Sequence, residues 1–237
     1  MLRTNIFIAA CGILLSVSAS AAETTAEWPG RAGRYVFEVT RDGKPIGTQA
    51  IEVKQDGDVV TATTESTIAV KMLGIVVYRM HQVFTETYQG RRMVAIHAET
   101  KDPDGLRVGD LARSGDRWTG RLGKQKRDFE CDCMATSMWQ VASVMRPTII
   151  EASHARPRAI TVEDRGTETL DLPEGKVIAR HFTVKGEIER EVWYDPTGIL
   201  VVAEQVGSDG SLIRQTLISD PSASRESHPE AAESAQP

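Results

Sequence analysis

Cysteine is scarce in this sequence, with three in 237 residues. A framework of disulfides is therefore excluded, and the fold has to stand on a buried core. A basic excess is also missing. Lys and Arg total 28 against 33 Asp and Glu, a formal net charge of -5, which argues against a general nucleic-acid binder. Long apolar runs are missing too, save one at the extreme N-terminus, so a multi-pass helical membrane protein is excluded. The local signatures of catalysis are absent as well: no nucleophile elbow, phosphate-cradling glycine loop, zinc-helix motif or paired-carboxylate signature occurs. No residue is assigned a catalytic role and no cofactor is implied. The enzymatic route left open is a site assembled from distant residues. What is present is enough apolar residue, 41% against 26% charged, to bury a core and exclude global disorder.

The N-terminus reads as an export signal. Arg3 supplies the positive end, Ile6 to Val17 the apolar stretch, and Ala19-Ser20-Ala21 the small residues that a signal peptidase reads. Residues 1–21 are thus expected to be a signal peptide cleaved after Ala21 or Ala22, placing the protein in the periplasm or the secreted fraction. Ile8-Ala9-Ala10-Cys11 resembles a lipoprotein box, but the apolar run continues well past Cys11, so plain secretion is expected rather than an anchored or integral membrane protein. Residues 22–33 read as a short linker, 34–219 as a single β-rich domain, and 220–237 as a disordered acidic tail.

From Arg34 onward one unit repeats: a β-rich run, a tight turn, another run. Arg34–Arg41 leads into Asp42-Gly43, a strong hairpin signal. Val59–Met72 is rich in Val and Thr, Gly74 breaks it, and Ile75–Tyr88 forms its long partner before Gln89-Gly90. Further runs follow to Leu212–Ser219, punctuated by turns such as Pro173-Glu174-Gly175 and Ser208-Asp209-Gly210. One interruption, Thr136–Met145, lacks turn residues. Trp139, Val141, Ala142 and Met145 share a helical face there, Thr136 or Ser137 suits a cap, and Pro147 suits a stop, which predicts a short helix.

Several runs alternate. Ile188, Val192 and Tyr194 oppose Glu187, Glu189 and Glu191, a strand with one dry and one wet face. The fold expected is mainly β: a single curled antiparallel sheet of about a dozen strands, a half-barrel or open barrel, with the short helix plugging or lidding it. Such a concavity is either a filled core or a small-molecule pocket, and Trp139, Trp193 and Tyr194 are the pocket candidates.

The stretch Gly43-Lys44-Pro45-Ile46-Gly47, the run Ile68 to Arg79, Glu86, the segment Thr136-Ser137-Met138-Trp139-Gln140, and Trp193-Tyr194-Asp195 with Gly198 and Leu200 together resemble an exported bacterial family of unknown function, DUF6134, related in pattern to DUF3108. The resemblance covers roughly Tyr35 to Leu217. It departs at Met138 and Gln140, where the family has an aromatic residue and Asn. It implies export and a curled antiparallel sheet, and no reaction.

Cys131-Asp132-Cys133 is the most chemically suggestive triplet. In a regular strand its Cα atoms would stand about 6.6–7 Å apart, too far for a comfortable disulfide, whereas a tight turn brings them within reach. The readings are a structural disulfide, a redox pair, or, more weakly, two soft metal ligands that still need partners. The five histidines form no metal-type pair. Pairing about Gln89-Gly90 sets His81 near His97 or Ala98. Arg113, Arg117, Arg121, Lys124, Lys126 and Arg127 stand together against Asp116, either as an anion-binding patch or as the solvated face of short hairpins. Val59-Val60 and Ile75-Val76-Val77 are core strands or an exposed apolar mouth. The function expected is a non-enzymatic envelope protein holding a lipid or other apolar small molecule. The alternatives are an envelope structural or assembly partner of other envelope proteins, and a redox or metal protein using Cys131 and Cys133.

Overall fold

A computed structural model describes residues 32–221. The expected signal peptide and cleavage site, Cys11 and the tail beyond Pro221 lie outside the described residues.

The chain starts in the middle of its sheet. β1 (Gly33–Arg41), β2 (Lys44–Asp56), β3 (Val59–Met72), β4 (Ile75–Gln89), β5 (Arg92–Asp102), β6 (Gly105–Ser114), β7 (Arg117–Leu122) and β8 (Gln125–Glu130) step outward to one edge as an antiparallel meander. Three residues, Cys131-Asp132-Cys133, then carry the chain to the opposite edge. There β9 (Met134–Ala135) pairs parallel with β10 (Thr148–Glu151). β11 (Arg156–Leu172), β12 (Gly175–Gly186), β13 (Arg190–Tyr194), β14 (Leu200–Val206) and β15 (Leu212–Ser219) step back inward until β15 pairs antiparallel with β1. The result is one open sheet of 15 strands, ordered 8-7-6-5-4-3-2-1-15-14-13-12-11-10-9. Because its two edges are consecutive in sequence, the sheet curls toward itself, and β8 approaches β11.

Antiparallel hairpins set the alternate turns at opposite ends. One end carries Asp42-Gly43, Leu73-Gly74, Pro103-Asp104 and the Ser208–Gly210 turn. The other carries Gly57-Asp58, Gly90-Arg91, Gly115-Asp116 and the Cys131–Cys133 crossing. The second end is filled. Trp118, Trp139, Tyr88, Met93 and Phe37 are wholly buried there in one apolar cluster with Ile149 and Ile150.

The predicted helix is corrected. Only Val141–Met145 winds, as a 3₁₀ turn, and Thr136–Gln140 is not helical. The backbone bonds of this segment go outward rather than back along a helix. Thr136 N–H donates to Ile150 O, Leu200 N–H to the Trp139 carbonyl and Val141 N–H to Gly198 O, and Gln140 bridges Ile199. Met134, Ala135, Ser137, Met138, Trp139 and Gln140 are all buried. A segment buried in succession has no wet side for an amphipathic helix to present, and its neighbours offer ready partners. The predicted pairing of His81 with His97 also fails. The hairpin turns at Gly90-Arg91, and a bulge between Thr87 and Tyr88 slips the register, so His81 faces Lys101 and His97 faces Thr85.

Candidate functional site

The inner face of the β3–β4 ladder changes character along its length. From the tip inward β3 presents Met72, Val70, Ile68, Ser66 and Thr64, and β4 presents Tyr78, Met80, Gln82, Phe84 and Glu86. Period-two alternation places these side chains on one face. All of them but the innermost pair, Thr64 and Glu86, line a cleft of about 700 Å³ that opens at the end carrying the Leu73-Gly74 turn. The walls near the mouth are apolar, with Ile46, Ile68, Val70, Met72, Val77 and Met80. The floor is polar. Ser66 Oγ donates to Gln49 Oε1 at 3.0 Å, Gln82 Nε2 donates to Thr100 Oγ1 at 2.8 Å, and Ser137 and Arg190 complete it. At the rim Arg107 forks onto Asp102 (2.6 and 3.1 Å), and Arg41 pairs with Asp209. These rim cations are already neutralised, and the Arg107 guanidinium holds the Asp102 carboxyl below its ordinary range.

Arg190 differs from the rim arginines. It stands at the start of β13 and donates from Nη1 to Thr136 O at 2.9 Å. Among the described residues no carboxylate lies within ion-pair distance of it, and its Nε is buried without a hydrogen-bond partner. Burial pulls its guanidinium below the ordinary value.

Beneath the floor sits a second unusual group. Glu86 is 1% exposed. Its Oε2 accepts the Tyr88 hydroxyl, which in turn accepts Trp139 Nε1–H at 3.3 Å. Glu86 Oε1, Ser137 Oγ and Gln140 Nε2 are buried without hydrogen-bond partners. Burial pushes the Glu86 carboxyl up to about 7, against the opposing pull of Ser137, Tyr88 and Trp139. Ser137 borders both the cleft and the Glu86 carboxyl. Two signals for these groups were in the sequence. Glu86 is in phase with Phe84 and Tyr88, and Arg190 with Ile188, Val192 and Tyr194. A charge on an apolar face asks for a reason.

The pocket candidates do not line this cleft. Trp139 is in the filled end, its ring edge-on to Tyr88 at 6.3 Å. Tyr194 is buried and donates its hydroxyl to Met138 O at 2.9 Å. Trp193 stacks on His181 at 4.2 Å and donates its indole N–H to Glu168.

Cys131 and Cys133 lie at the other end. They stand outside any strand with Cα atoms 5.3 Å apart and their sulfurs at disulfide distance. The loop holds Asp132 between Arg113 (3.1 Å) and Arg146 (3.3 Å) beside a second hollow of about 420 Å³. Among the described residues no three His, Cys, Asp or Glu side chains converge as a metal site. The basic stretch is dispersed. Arg113 turns into this hollow, over the Trp118 ring, while Arg117 pairs with Asp128 and Arg121 with Asp110 on exposed hairpin faces.

A family model described as "Domain of unknown function (DUF6134)" matches residues 37–218. A crystal structure of a beta-barrel-like protein of domain of unknown function DUF1849 from Brucella abortus is similar at TM-score 0.58 and 14% identity. The match covers 80% of this chain and 97% of that one, and it shows the fold alone. A DUF1089 family protein from Pseudomonas aeruginosa aligns at TM-score 0.38 and 11% identity, over 74% of this chain and 91% of that one. No curated protein matches.

Proposed function

The chain belongs to the DUF6134 family, whose description assigns no activity, and from the chemistry of its cleft we propose that it is an exported, non-enzymatic protein that holds a single-chain amphiphile with an anionic head. The chain of the ligand lies along the apolar inner face of the β3–β4 ladder, and its head reaches the polar floor at Arg190. The observation that carries this reading is a cleft apolar at its mouth and polar at its base, with a guanidinium there that has no carboxylate within ion-pair distance among the described residues, Glu151 acting on it only from further away. A buried cation is costly unless a counter-charge meets it, and a carboxylate or phosphate head supplies one. A volume of about 700 Å³ lies within the usual range for small-molecule sites.

The test is displacement of a fluorescent fatty acid from the purified protein by laurate and by dodecanol. Arg190→Gln is expected to weaken laurate at least tenfold, about 1.4 kcal/mol, and to leave dodecanol nearly unchanged. Failure of the wild-type protein to bind the fatty-acid probe would overturn the reading.

A further inference from the structure

The β3–β4 ladder outruns both of its neighbours. β2 pairs with β3 no further than Gly47 opposite Ile68, and β5 pairs with β4 no further than Lys101 opposite His81. Residues 69–80 therefore form a two-stranded ribbon unsupported by a third strand, an arrangement of marginal stability in water. Its sequence makes the exposure more unusual. Met72 is 59% exposed, Leu73 97% and Ile75 69%, with Val77 and Tyr78 also exposed behind them. The turn itself places Leu73 at φ 50° and Gly74 at φ 82°, a two-residue hairpin turn with positive φ at both positions. Asp42-Gly43, at the same end of the sheet, builds a turn of the same sign (φ 49° and 74°) with the residue type that favours it. At Leu73 a large aliphatic side chain takes that position and projects into solvent.

The charges on the ribbon itself have one sign, while Asp102 and Asp104 of the neighbouring turn stand near Tyr78 at its base, with Arg107 forked onto Asp102. Within residues 69–80 stand Lys71 and Arg79, both exposed, and no carboxylate. The apolar tip is continuous with the cleft, since Met72, Val77 and Tyr78 belong to both. An apolar apex behind a cationic collar is the arrangement that inserts side chains below the headgroups of a lipid surface while its cations meet the phosphates. A protein partner would be better met by a flat patch with a polar rim than by an apex. We propose that residues 69–80 are a docking arm that inserts its tip into an anionic lipid surface, with the mouth of the cleft turned toward that surface. The docking claim rests on the ribbon alone. If the cleft also takes an amphiphile, the same surface is its source.

The experiment is flotation of the protein, recovered from its own cells, with vesicles of phosphatidylcholine containing 30 mol% phosphatidylglycerol, and with vesicles of phosphatidylcholine alone. Leu73→Asn with Ile75→Thr changes only exposed side chains, and asparagine suits the turn, so the melting midpoint is expected to hold. Wild type is expected to float with the anionic vesicles and the double variant to lose at least tenfold in binding. Lys71→Glu with Arg79→Glu is expected to lose binding to the anionic vesicles and to leave binding to the neutral ones unchanged. Equal flotation of wild type and the Leu73/Ile75 variant, or no flotation of wild type, overturns the proposal, as does a protein cross-linked through the tip without vesicle binding. The Leu73/Ile75 variant should still bind the fluorescent fatty acid, since neither residue lines the cleft. Wild type that binds the fatty-acid probe but does not float, or floats no better than the Leu73/Ile75 variant, therefore condemns the arm and spares the cleft, and wild type that floats but does not bind the probe condemns the cleft alone.

Discussion

Glu86 is a carboxyl in an apolar phase of a strand, and its protonation is linked to stability. Its folded pKa of about 7 lies above the ordinary value of 4.5. Below pH 4.5 both folded and unfolded chains hold the proton and nothing is lost. As the pH rises from 4.5 through 7, the unfolded chain ionises freely while the folded one resists, so stability falls, by about 3 kcal/mol once both are ionised. The expected outcome is a wild-type melting midpoint that drops from pH 5 to pH 8 by more than that of Glu86→Gln. Parallel profiles would mean that Glu86 titrates normally. Trp139 stands two hydrogen bonds from Glu86, 2% exposed and against Tyr88. Trp139→Ala is expected to cost about 3–5 kcal/mol by chemical denaturation, because the filled end cannot collapse around so large a vacancy. An unchanged denaturation midpoint would place the residue at the surface.

At the scale of elements, hairpins were legible and their joints less so. Asp42-Gly43 and Gly74 announce their turns because the residue type supplies the required φ, and β3 runs over the predicted residues, Val59–Met72. Register was less legible because bulges at Val70/Lys71 and Thr87/Tyr88 shift it without a residue type that marks them, whereas the one at Asp164/Gly166 is marked by Gly166 at φ 90°. The failed helix belongs to the same lesson. Thr136–Met145 has helical spacing, but its partners are strands distant in sequence, and local periodicity does not see them. Arg190 and Glu86 were legible by phase alone, whereas the cleft that joins their surroundings depends on the curl of the whole sheet. The Cys131–Cys133 crossing carries its own prediction. A disulfide across so short a loop removes little freedom from the unfolded chain, under about 2 kcal/mol. Cys131→Ser with Cys133→Ser is expected to shift the melting midpoint by less than about 5 °C. A larger drop would show that the crossing holds the two sheet edges together.

At the scale of the molecule, the two ends of the curled sheet differ in construction. One end is packed with large side chains to a closed core, and the other is left open over a polar floor and extended by an unsupported apolar arm. A filled interior would have sufficed for stability alone. The expectation of a curled sheet survives as an open sheet of 15 strands, and the cleft at its open end is lined by residues other than Trp139, Trp193 and Tyr194. The expected export is checked by N-terminal sequencing of the protein from its own cells, which should begin at Ala22 or Glu23, while an acylated Cys11 would contradict it. The most direct test of the cleft is native mass spectrometry of wild type and Arg190→Gln isolated from their own envelope. The account predicts that wild type carries one equivalent of an anionic single-chain amphiphile, removed by delipidation, and that Arg190→Gln carries markedly less. A wild-type spectrum showing only the bare polypeptide mass, or equal loading of the two proteins, would contradict it.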